Sequence, residues 1–292
     1  MPAFTRYVGI DYSGAETPTA SLKGLRVYVA DGAACPVEVP PPPSPRKYWT
    51  RKGIAHWLVD LLSDDVPTLV GIDHGFSFPL RYFETHGLKP DGPTFLDDFQ
   101  AHWPTDEDIY VEFVRVGAVG NGAARAGNTR WRRLTEERAG GAKSVFHFDV
   151  QGSVAKSTHS GIPWLRFIRQ QLGSRVYFWP FDGWSIPSNR SAIVEVYPAL
   201  WSRGFPRQNR TADQHQHRSL DVASRPQWHP CHRPEPRPVA ARANRGAGGG
   251  LDTRHRLTSR GFCWCRQRHR RHQITRCEQN SNLRFARSQF IR

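Results

Sequence analysis

The chain has 292 residues, with 41 Lys+Arg against 26 Asp+Glu and a formal net charge of +15. That excess is unevenly placed: residues 1–215 carry 24 basic and 22 acidic side chains, whereas residues 216–292 carry 17 Arg, no Lys and four acids. The surplus therefore gives no argument for nucleic-acid binding by the body of the protein.

The body is long enough to bury a sizeable core. Cys35 is its only cysteine, it shows no basic-then-apolar leader, and no apolar run approaches a membrane span. These features predict a cytoplasmic globular domain with no disulfide framework and no membrane partner.

In chain order, the apolar run at 6–11 predicts a strand, followed by a turn with Gly14 and Pro18. A second strand at 25–30 and a short third at 35–39 complete a small antiparallel meander. Pro40–Pro43 and Pro45 form a stiff, polyproline-like loop. Residues 50–63 carry helical spacing (Ile54, Trp57, Leu58, Leu61, Leu62) behind Thr50 as N-cap. Pro67–Asp73 is the next strand, and residues 80–140 read as an insertion of helix and loop. Further strands are expected at Val145–Val150, Val176–Phe178 and Ala192–Tyr197. From Arg225 to Pro238 neither period is present, and residues 216–292 are read as an irregular tail.

The tetrapeptide Val-Gly-Ile-Asp closes two of these strands, at Val8–Asp11 and Val70–Asp73. Parallel neighbours in an α/β sheet end on the same edge, where such sheets place ligand sites. Asp11 and Asp73 are then expected side by side. Two bare carboxylates about 6 Å apart repel by roughly 3 kcal/mol at an effective dielectric of about 20. A divalent cation removes that penalty, and oxygen-only ligands favour Mg²⁺ or Mn²⁺. Glu195, which interrupts the apolar strand 193–197, is a third candidate. The plainer alternative is that each Asp is a turn or cap residue.

The segments Tyr7–Ala15 (YVGIDYSGA), Val70–Pro79 (VGIDHGFSFP), Phe148–Leu165 (FDVQGSVAKSTHSGIPWL) and Ile193–Trp201 (IVEVYPALW) are similar, in that order, to the domain-of-unknown-function 429 family. That family is regarded as predicted nucleases of ribonuclease H-like fold. The resemblance covers roughly residues 5–215. It implies an α/β, ribonuclease H-like mixed sheet, three antiparallel strands then parallel strands, flanked by helices. It also implies metal-dependent phosphodiester hydrolysis with nucleic acid as the partner. Asp11, Asp73 and Glu195 are the implied catalytic residues and metal ligands, and Asp213 is a fourth ligand candidate. Lys156 and His159 would contact phosphate or orient the substrate.

Chains of this kind continue after the Arg-Thr-x-Asp-Gln-His stretch with Asp-Ala-Tyr opening a helix. Here Arg210–His215 is followed by Gln216-His217-Arg218, and the composition changes at the same point. We read residues 216–292 as the product of a shifted frame. Trp228 supports this, since its single codon forces a glycine one base later. A copy that has lost its last helix is expected to be impaired or inactive.

Two other readings stand beside this one. An actin-like or sugar-kinase-like phosphotransferase shares the strand core, and a degenerate, non-catalytic binding module would keep the fold without turnover. Gly152–Thr158 has some residue types of a phosphate loop, but Ala155 stands where a glycine is needed. Cys263-x-Cys265 with His269 and His272 is too tightly spaced for zinc. Arg125, Arg130, Arg132 and Arg133 around Trp131 suit either a nucleic-acid channel or a solvated face paired to Glu136 and Glu137.

Overall fold

A six-stranded mixed sheet organises this computed structural model, which describes residues 4–43 and 47–202. Its strands are β1 (Arg6–Tyr12), β2 (Leu25–Asp31), β3 (Val37–Val39), β4 (Thr68–Ile72), β5 (Val176–Trp179) and β6 (Ser191–Glu195). They lie in the order β3-β2-β1-β4-β6-β5. The β1–β2 and β2–β3 pairs are antiparallel, while β1–β4, β4–β6 and β6–β5 are parallel. Antiparallel strands followed by parallel ones is the arrangement the strand pattern predicts.

Alternation sorts the side chains. Val8, Ile10, Tyr12, Val70, Ile72 and Ile193 enter one core with α1 (Arg51–Leu61) and α6 (Ala155–Leu172). Tyr28, Leu69, Ala192, Val194 and Val196 form a second cluster, with Tyr7 packed against it. Central β4 is buried along its whole length, which is why it reads as an unbroken apolar run.

Helix α1 starts where expected: the Thr50 hydroxyl accepts a hydrogen bond from the Gly53 N–H at 2.9 Å. Residues 80–140 contribute α2 (Leu80–His86), α3 (Gly92–His102), α4 (Val111–Arg115), a 3₁₀ turn at Gly122–Arg125 and α5 (Leu134–Arg138). A short α7 (Ala199–Ser202) follows β6. None of the helices among the described residues is long and apolar enough to cross a membrane.

Two expectations need correction. Val145–Val150 is a series of turns, with the His147 N–H donating to the Ser144 carbonyl at 3.0 Å. Val145 and Phe146 enter the core and belong to none of the six strands of the sheet. Cys35 is disulfide-bonded, against the expectation of no disulfide. The first half of α6, on which the strand and helix expectations are silent, is polar and includes Gly161 and Pro163. Burial overrides propensity there. Pro163 removes the N–H that would bond the His159 carbonyl, and the Thr105 hydroxyl donates to that carbonyl instead, at 2.5 Å.

Gly161 lets α6 approach the end of β4. A Cβ there would lie 2.6 Å from His74 Nε2 and 2.8 Å from two ring carbons. Gly161→Ala is therefore expected to cost about 1–3 kcal/mol through overpacking, read as a lowered thermal midpoint. An unchanged midpoint would show that this contact can yield freely.

Candidate active site at the strand ends

Register decides which acids meet. Ile10 of β1 pairs with Ile72 of β4, and Ile72 pairs with Glu195 of β6. The Asp73 N–H donates to the Ile10 carbonyl at 3.1 Å and the Val196 N–H to the Ile72 carbonyl at 3.0 Å, carrying the ladder one step further. The next row across the sheet is therefore Arg26, Asp11, Asp73 and Val196. Asp11 and Asp73 stand side by side, as the repeated tetrapeptide suggested. Glu195 belongs to the preceding row and leaves the sheet from the opposite face.

Asp11 is 5 % exposed, and burial pushes its carboxyl up to about 7, against the smaller opposing effects of the neighbouring Ser13 hydroxyl and the charge of Arg26. Arg26 is engaged by Glu38 at 2.5 Å. Asp73 is held well above the ordinary carboxylate range, first by desolvation, then by the charges of Asp11 and Glu195. Each acid thus favours its proton because burial outweighs what compensates its charge.

Glu195 already has a cation. Its two oxygens receive Arg133 Nη1 and Nη2 at 2.7 and 2.8 Å, and the Phe76 N–H donates to it at 2.9 Å. Arg133 Nε also donates to the buried Glu136 at 2.9 Å. Burial alone would lower the Arg133 pKa, yet Glu195 and Glu136 outweigh it and raise it. This lock spans 62 residues of sequence. The basic stretch is otherwise partly internal too: Arg125 forks onto Asp98, and Arg132 donates to the Ala142 carbonyl.

Beside the lock lies a cavity of about 70 Å³ lined by Asp73, His74, Arg133, Lys143, Glu195 and Tyr197. His74 is buried with its ring 4.6 Å from Tyr12 and 5.2 Å from Phe76, and Nδ1 lies 2.9 Å from the Gly75 carbonyl. Burial brings its pKa down to about 4, so it is neutral at neutral pH.

The other candidates are dispersed. Lys156 is about half exposed on the first turn of α6, with Nζ 3.9 Å from Glu112. His159 is fully buried among Phe78, Phe99, Trp103, Phe146 and Phe148, its Nδ1 2.8 Å from the Ala155 carbonyl. Burial lowers its pKa to about 3. As folded it has packing contacts and no path to solvent. Gly152–Thr158 forms a turn and the start of α6, with no strand leading into it. Asp213, the cysteine–histidine cluster and residues 216–292 lie outside the described residues.

The Asp11–Asp73 pair fits a hard divalent cation in donor type and in charge, and Mg²⁺ is commonly held by only one or two carboxylates plus water and phosphate. Glu195, locked to Arg133, does not complete a set: among the described residues no group of three or more His, Cys, Asp or Glu side chains is arranged to hold a metal. Comparison with protein-family models, with curated proteins and with solved structures finds no match for this chain.

Two outcomes follow from this geometry. An acid whose folded pKa exceeds its unfolded value of 3.8 binds extra protons when folded, so it loses stability as pH rises from about 4 to about 7. Asp11→Asn should therefore melt higher than wild type at pH 8 in metal-free buffer, by on the order of 4 kcal/mol, with the gain vanishing near pH 4. Equal differences at both pH values would contradict the buried, desolvated carboxylate. Arg133→Ala strands two acids and should cost about 3–5 kcal/mol, measured by urea unfolding; a loss below about 1 kcal/mol would mean the lock is a solvent-screened pair.

Proposed function

We propose that the body of this chain is a ribonuclease H-like scaffold for metal-assisted hydrolysis of phosphodiester bonds in nucleic acid, and that this copy turns over poorly. The observation that carries the reading is the pairing of Asp11 with Asp73 at equal height on adjacent parallel strands, each carboxyl raised by burial. The strand order supports it, as an analogy of fold. So does the family-like run of motifs in the sequence.

In this reading Asp11 and Asp73 would hold Mg²⁺ or Mn²⁺, and the ion would polarise a phosphoryl oxygen and lower the pKa of a bound water. The protein's own part is positioning. The β1–β4 ladder fixes both carboxylates, and the neutral His74 ring, packed against Tyr12 and Phe76, lies beside Asp73. Glu195 supports the β4–α2 connection through the Phe76 N–H while Arg133 keeps it from serving as a ligand. Low turnover follows from having two acids in the row instead of three. The same lock favours a second reading, a non-catalytic binding module on this fold.

Mn²⁺ should raise the melting temperature of the wild-type chain at pH 8 and leave Asp11→Asn unmoved, with parallel incubation of labelled RNA and DNA strands. No Mn²⁺-dependent shift would end the cation reading. A shift without cleavage supports the binding module. Brisk cleavage abolished in Asp11→Asn would support the site and overturn the low turnover.

A further inference from the structure

We propose that Arg51 is the anchor of a second subsite, one that takes a phosphate oxyanion beneath the loop following β1. Arg51 is the first residue of α1 and is only 1 % exposed, yet its Nε and Nη2 have no hydrogen-bond partner. Its one bond is a long one, Nη1 to the Gly14 carbonyl at 3.4 Å. The nearby Tyr12 hydroxyl is buried and unpartnered as well. Burial lowers the guanidinium's pKa, opposed by Tyr12 and by Glu16 on the exposed loop.

A buried guanidinium serving only the core is normally forked onto a carboxylate, as Arg133 is here, because an unpaired buried charge is strongly unfavourable. Arg51 has kept the charge and lacks the carboxylate. Its free donors sit on one planar fork, which matches two oxygens of a phosphate.

Access to the fork requires the loop over it to lift. The loop is fastened at Ser13, whose hydroxyl donates to the Gly24 carbonyl at 2.9 Å, and at Pro18, whose carbonyl accepts from the Lys52 N–H at 3.1 Å. Between those points Gly14 has φ +101°, which a side chain would strain, and a Cβ there would lie 2.9 Å from Leu22. Lifting residues 14–17 breaks the long Gly14 contact, and an oxyanion then replaces that carbonyl.

Tyr12, which faces Arg51, directly follows Asp11, so a phosphate on the fork would flank the end of β1 on the side away from the acid pair. As an anchor for a phosphodiester the subsite rests on the hydrolase reading; as a phosphate site it stands without it.

The test uses the full chain in chelator, with inorganic phosphate against chloride at matched ionic strength. Phosphate should raise the melting temperature by about 2–4 °C, in wild type and Asp11→Asn alike. Arg51→Met should melt no lower than wild type and show no rise, while Arg51→Lys, keeping charge without the fork, should show a reduced one. No rise in wild type, or an undiminished rise in either Arg51 variant, overturns the proposal. Should Arg51→Met fail to fold, the lysine variant decides. A short single strand that competes with phosphate supports the phosphodiester anchor. Phosphate binding that no strand displaces supports the site and removes its link to hydrolysis.

Discussion

The alignment of Ile10 with Ile72 across β1 and β4 is the constraint from which the rest follows. Because these strands are parallel and in this register, the two aspartates that end them arrive together at one edge of the sheet. Desolvation there raises both carboxyls, and proximity raises Asp73 further. Slipping either strand by one residue would send one acid to the other face. The isoleucine rows and the helices packed on them therefore hold the electrostatics of the site as well as the core.

Against that desolvated pair, Glu195 and Arg133 show the opposite solution for a buried acid. Two oxygens, two guanidinium nitrogens and a backbone N–H close a nearly complete set of hydrogen bonds. Neighbouring acids thus differ sharply in what they can still accept. Arg51 repeats the contrast in the other sign, with a guanidinium held in the core and most of its donors open. Groups left unsatisfied at a cost are where chemistry or binding is best sought.

Much of the architecture was legible in the residues. Val-Gly-Ile-Asp reads as a strand because it is buried on both sides, and Thr50 reads as a cap because its hydroxyl meets the Gly53 N–H. Other parts were not legible, for specific reasons. Helix α6 hides behind a polar, glycine- and proline-containing sequence that only tertiary burial makes helical. Val145 and Phe146 look like a strand because apolar pairs suit either a ladder or a plug in the core. Glu195 lies one residue short of the aspartate row, an offset carried by hydrogen bonds and invisible in composition. Arg133 beside Glu136 suited a nucleic-acid channel or a solvated face alike, since nothing local announces a partner so far along the chain.

The occupant of the fourth place in that row has a further meaning. Val196 stands next to Asp73 and is 4 % exposed within the second apolar cluster. An acid substituted there would face the aspartates, but it would displace a methyl-bearing wall of that cluster. Gaining a third oxygen donor by point change and keeping the lower layer dry are thus competing demands on a single position. Sliding β6 by one residue to bring Glu195 into the row is no way round this, because it would turn Ile193 and Val194 to opposite faces and leave Arg133 without its partner.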